Sequence, residues 1–176
     1  MRSPFYFIVT PLNEKRYDNT VDYEGVEFIS NTSQENFKST NRMATVIATP
    51  INYTGEISVG DLLVVHHNVF KIYYDMKGRQ KSGRSFLKDN TFFVDETQFY
   101  AYKHDGQWRC HSHNCFVKPI EKEEYFIEKP GTEEALEKLG VHNGSLICFE
   151  PESEYEFKID GEKLYRMYTR NITMTL

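Results

Sequence analysis

Ile57-Ser58-Val59-Gly60-Asp61-Leu62-Leu63-Val64-Val65-His66-His67-Asn68-Val69-Phe70 decides how this chain folds. A Gly-Asp turn opens onto four apolar residues, too few for a helix and right for a strand buried on both faces. Gly60 is free to take a positive φ, and Asp61 is expected to bond the backbone beyond it. A weaker copy returns as Gly140-Val141-His142-Asn143-Gly144-Ser145-Leu146-Ile147-Cys148-Phe149.

Two further pairs of segments match. Phe7-Ile8-Val9-Thr10-Pro11-Leu12 aligns with Cys115-Phe116-Val117-Lys118-Pro119-Ile120 when the prolines are superposed. Each is a short apolar strand stopped by a residue without an amide proton. The run from Phe86 to Tyr102 likewise parallels the run from Phe157 to Met174, as strand, polar turn, aromatic strand, polar step and final strand. The chain therefore divides into two copies of one small all-β unit, 1–112 and 113–176, the second trimmed.

Composition narrows the function classes. The 176 residues are 15% aromatic and carry a formal net charge of −5. No basic stripe is present, which argues against nucleic acid as a partner. No apolar run reaches membrane-spanning length, so no membrane is expected. Three cysteines, without an export signal, suit free thiols in a reducing compartment. No Ser-His-Asp set, catalytic carboxylate pair or cofactor loop stands out, so neither an enzyme nor a cofactor is expected.

Between the strands, residues 13–42 are polar and charged, with one apolar island, Gly25-Val26-Glu27-Phe28-Ile29. A connection this long is either a surface hairpin or a mobile binding loop. The glycine-broken basic stretch from Asp75 to Arg84 reads as an exposed hairpin tip. Cys110, His111, His113 and Cys115 crowd into six residues, whereas structural zinc sites split their ligands into separated pairs, so no metal is expected there. His66 and His67, as strand neighbours, would point to opposite faces. Gly131 to Gly140 is the one helical piece, in the place of the first copy's long loop.

With these residues in order, the chain resembles the GroES-type co-chaperonins, the lids of the large chaperonin rings, as a tandem and phage-like member. Val9-Thr10-Pro11-Leu12, Val59-Gly60-Asp61-Leu62, Phe116-Val117-Lys118-Pro119-Ile120 and Ile159-Asp160-Gly161-Glu162 carry the likeness. The resemblance implies two GroES-like β-barrels in tandem, the second lacking the mobile loop. It implies a homo-oligomeric ring that caps a chaperonin in the bacterial cytoplasm and assists folding. The family's contact tripeptide falls on Gly25, Val26, Phe28 and Ile29, which become the candidate partner-binding residues. The alternative is a virion structural or decoration protein that uses the same barrel for assembly alone. The acidic Glu27 inside the apolar run and the loopless second copy fit that alternative.

Overall fold

The computed structural model describes residues 2–17, 20–23, 26–29, 39–119, 125–129, 136 and 140–175. It is all-β. The chain forms two compact units, Met1–Phe99 and Tyr100–Leu176, so the division falls earlier than the 112/113 boundary read from the motifs.

In the first unit the strands β1 (Phe7–Pro11), β4 (Met43–Ala48), β5 (Leu62–Val65), β8 (Phe86–Lys88) and β9 (Thr91–Val94) lie in the order β5-β4-β1-β9-β8. Two separate hairpins branch from it, β2 (Thr20–Tyr23) with β3 (Val26–Ile29), and β6 (Ile72–Tyr74) with β7 (Gln80–Ser82). The second unit begins within the hairpin of β10 (Phe99–His104) and β11 (Gln107–Cys110), at Tyr100, the residue after the last of the first unit. Its sheet then comprises β12 (Asn114–Pro119), β13 (Tyr125–Lys129), β14 (Leu146–Phe149), β15 (Tyr155–Ile159), β16 (Glu162–Tyr168) and β17 (Ile172–Thr175), ordered β17-β14-β13-β12-β16-β15.

The two units repeat residue by residue. β1 pairs with β4 through Val9↔Val46, Thr10↔Thr45 and Pro11↔Ala44, and β12 pairs with β13 through Val117↔Ile127, Lys118↔Phe126 and Pro119↔Tyr125. Both ladders slip at the same step, between Ile8 and Val9 and between Phe116 and Val117. The slip leaves one extra residue, Ile47 or Glu128, on the partner strand, which is the geometry of a bulge. On the other side Ile8↔Phe93 and Val9↔Phe92 match Phe116↔Arg166 and Val117↔Tyr165. The next step out repeats too, because Thr45↔Leu62 corresponds to Phe126↔Leu146.

The turns follow suit. Gly60 and Gly144 lead into β5 and β14 at φ of +97° and +86°, a region that favours glycine. The β8–β9 turn holds Asp89 and Asn90 at φ of +43° and +60°, and the β15–β16 turn holds Asp160 and Gly161 at +49° and +85°. Two consecutive positive φ values are the signature of the tight hairpin turn that matches strand twist. His66 N donates to Gln98 O after β5, as Glu150 N donates to Asn171 O after β14.

Each unit has its own core. Phe7, Val9, Leu63, Val64, Val65, Phe70 and Phe92 are fully buried in the first. Phe7 meets Phe99 edge-on at 5.7 Å and Phe70 meets Phe92 at 4.9 Å, a favourable arrangement of ring quadrupoles. Cys115, Val117, Leu136, Val141, Ile147 and Met167 form the core of the second.

Three details differ from the motif reading, and the expected helix lies outside the described residues except at Leu136 and the closing Gly140. Among the described residues the strand orders are open and do not close on themselves. The Asp61 carboxylate turns backward, accepting from Ser58 N at 2.7 Å. Leu136 is helical and buried. Its segment lies between β13 and β14, the counterpart of the β4–β5 connection; the long loop of the first copy corresponds to the five residues between β12 and β13.

Candidate functional site

The site that separates the copies is the arm between β1 and β4, and its root is built by a few side chains. After Pro11 the chain turns through Asn13 and Glu14, both left-handed at φ of +57° and +59°. Asn90 Nδ2 donates to Glu14 O at 2.9 Å, tying this turn to the β8–β9 hairpin. On the return side Asn41 fastens the two legs together. Its Nδ2 donates to Leu12 O and Lys15 O, its backbone N–H donates to Arg16 O, and its Oδ1 accepts from Met43 N. Tyr17 and Thr40 form a β-bridge immediately beyond.

Arg16 anchors this root to the body of the unit. Its Nε donates to Phe70 O at 2.8 Å, one terminal nitrogen to Lys71 O and the other to Ser82 Oγ. The guanidinium also lies 5.0 Å from the centre of the Phe92 ring. A planar fork with several donors suits such a multiple anchor, where lysine would offer a single point charge. Burial lowers its pKa, opposed by the nearby Tyr17, and the group stays charged. Tyr17 Oη accepts from Ile72 N at 2.7 Å, so both root residues reach the β6–β7 hairpin.

From this base the arm continues as β2 and β3, paired Thr20↔Ile29, Val21↔Phe28, Asp22↔Glu27 and Tyr23↔Val26. Val26, Phe28 and Ile29 therefore share one strand, brought together by its ladder, while Gly25 lies outside the described residues. The apolar island was legible in sequence. Arg16 and Asn41 were not, because a charged and a polar residue in a polar stretch look like solvated loop.

The Cys-His cluster resolves into separate roles. Cys110 ends β11 and Cys115 sits inside β12, both buried and outside any disulfide. The Cys115 thiol points to Met167 O at 3.7 Å, and burial pushes its pKa up to about 12, slightly offset by Arg166. Among the described residues no three His, Cys, Asp or Glu side chains converge to hold a metal.

His66 and His67 depart from the expected strand. They enter a 3-10 turn at His67–Val69, and their rings lie 4.1 Å apart at 30°. His66 Nδ1 accepts from Asn68 N at 3.1 Å. Burial, and then the charges of His66, Arg42 and Lys71, bring His67 down to about 4, so it is neutral near pH 7.

No protein-family model matches the chain, and no curated protein matches it.

Proposed function

We propose that the protein is a co-chaperonin-like lid subunit, built from two tandem units of GroES type, that assembles as a ring and engages a chaperonin through its arm. The observation that carries this is an asymmetry within a repeat. Two units share strand order and register, yet one of them carries a long arm on a fixed root at the β1–β4 connection. A hairpin that forms its own two-stranded sheet and adds no strand to the shared one is the part available to contact something else.

The energetics favour a ring. One short apolar segment docking into a groove binds weakly, because ordering it costs conformational entropy. Several identical arms on one ring restore overall affinity through effective concentration, while each remains able to let go. Partner contact falls to Gly25, Val26, Phe28 and Ile29, and the working location is the cytoplasm of a bacterial host.

The test is nucleotide-dependent co-sedimentation with a purified bacterial chaperonin. Wild type should be retained, and the Phe28→Asp/Ile29→Asp variant should be lost with its circular dichroism unchanged. Retention of the variant would reject the arm as the contact. The acidic Glu27 favours a second reading, a virion component that keeps the fold for assembly; a stable ring with no chaperonin binding would select it.

A further inference from the structure

The arm is not the first unit's only addition. Between β14 and β15 the second unit has a tight connection through Glu150, Pro151, Glu152, Ser153 and Glu154, whereas the same step in the first unit, from β5 to β8, holds the whole β6–β7 hairpin. The two equivalent connections carry opposite charge. Residues 71–84 hold Lys71, Lys77, Arg79, Lys81 and Arg84 against the single carboxylate of Asp75. Residues 150–156, the connection with the first two residues of β15, hold Glu150, Glu152, Glu154 and Glu156 with no cation.

Neither set is neutralised locally. Asp75 is committed to its own turn, accepting from Lys77 N and Arg79 N at 2.9 Å and pairing with Arg79 Nε at 3.0 Å. Lys71, Lys77, Lys81 and Arg84 form no ion pair with any described residue. Of the four glutamates, Glu156 pairs with Lys163, while Glu150, Glu152 and Glu154 meet no cation among the described residues. The Glu150 carboxylate accepts from the neutral Asn171 amide, its backbone carbonyl from Ser153, and Glu152 stands exposed at φ of +63°.

The hairpin also has the surface of a contact. Met76 at its tip is fully exposed, and Tyr73 and Tyr74 are 47% and 44% exposed. Lys71, Tyr73, Arg84 and Ser85 are among the residues lining a recess of about 400 Å³ at its base, a seat for an acidic side chain.

We propose that the β6–β7 hairpin of one molecule docks on the acidic Glu150–Glu156 connection of a second copy, forming the head-to-tail contact through which the ring assembles. A contact between two different patches on identical chains is the kind that propagates and, at the right rotation, closes. The occupant is argued from charge. The complement of the basic hairpin lies in the chain itself, at the matching topological position, and a molecule of net charge −5 repels a polyanion at long range. This inference rests on the ring-forming part of the proposed function and is independent of chaperonin binding.

Sedimentation equilibrium at low salt tests it with exposed positions. Lys77→Glu/Lys81→Glu/Arg84→Glu and Glu150→Lys/Glu152→Lys should each weaken self-association by roughly tenfold or more, with unchanged circular dichroism. The five-site charge swap in one chain should restore most of it, and added salt should weaken wild type. Unchanged assembly of both single-patch variants would overturn the contact while leaving the ring standing. Dissociation that the swap fails to rescue would overturn the pairing of these two patches. A wild type that is monomeric throughout would overturn the ring and the contact together. Binding of a single-stranded oligonucleotide, lost in the triple variant without a change of mass, would reassign the hairpin to nucleic acid.

Discussion

The two units share one ladder and differ in what hangs from it. The first carries two hairpins, β2–β3 and β6–β7, at connections that the second crosses in a few residues. The shared ladder is fixed by local chemistry: a proline after an apolar strand, a positive-φ glycine before the next, a two-residue left-handed turn before the last. The additions are anchored by long-range bonds, chiefly those of Arg16. A duplicated sheet can thus stay constant while one copy acquires contacts, because the sheet does not depend on what its connections carry.

The largest effect should come from breaking the match between Phe92 and Tyr165, which take the same register position opposite Val9 and Val117. Phe92 is fully buried and packs edge-on against both Phe70 and Phe86, whereas Tyr165 is half-buried. Phe92→Ala should cost about 3–5 kcal/mol, and Tyr165→Ala about 1–2 kcal/mol. Urea unfolding separates them, because the single tryptophan, Trp108, lies in the second unit. Phe92→Ala should move the circular dichroism transition and leave that of Trp108 fluorescence in place. A common shift of both signals would make the two units one cooperative body.

Next comes the root of the arm, which has no counterpart among the described residues of the second unit. Arg16→Ala strips donors from Phe70 O, Lys71 O and Ser82 Oγ and should cost about 2–3 kcal/mol. Arg16→Lys should recover only part, since an ammonium cannot bridge three acceptors in a fork. Hydrogen exchange should speed up at Asn41 and Ile72, whose amides bond Arg16 O and Tyr17 Oη, while Val117 and Ile127 stay protected. Unchanged exchange at Asn41 and Ile72 would show that Arg16 does not hold the root.

A smaller effect should be the same in both copies. A Cβ added at Gly60 or Gly144 meets nothing within 4 Å, so alanine there costs backbone strain alone, about 1–2 kcal/mol at each site. Unequal costs would show that the two turns are held differently by what surrounds them.

Most of the ladder was legible in sequence because its determinants are local. Matching Pro11 with Pro119 places Val9 against Val117 as the hydrogen bonds do, and the Asp89-Asn90 and Asp160-Gly161 turns follow from residue type. β13 was missed. Its Tyr125-Phe126-Ile127 run is a strand signal, but charged residues on either side hide it. The helical piece around Leu136 was matched to the wrong connection, because without β13 nothing marks which gap it fills. Arg16 carries no local signature, and Asn41 only its short-range bond from Met43 N, since the partners that build the root, Leu12, Phe70, Lys71 and Ser82, lie 29 or more residues away. The histidines were misplaced because Leu62–Val65 ends one residue before His66, and a 3-10 turn begins where an extended strand was expected.

That turn gives the smallest expected effect and the subtlest difference between the units. His67 follows the strand whose counterpart in the second unit is followed by Pro151, a residue with nothing to titrate. Burial holds His67 at about 4, against 6.5 for a free imidazole. Between those values the unfolded chain binds a proton that the folded one refuses, so His67 makes stability fall as the pH drops from about 6.5 to about 4. Above 6.5 the group is neutral in both states and its contribution is complete. His67→Gln, which cannot take up the proton, should flatten that part of the pH profile by circular dichroism while the Trp108 signal keeps its own. An unchanged slope in the variant would place the acid sensitivity in other groups and leave the stacked His66–His67 pair without a part in it.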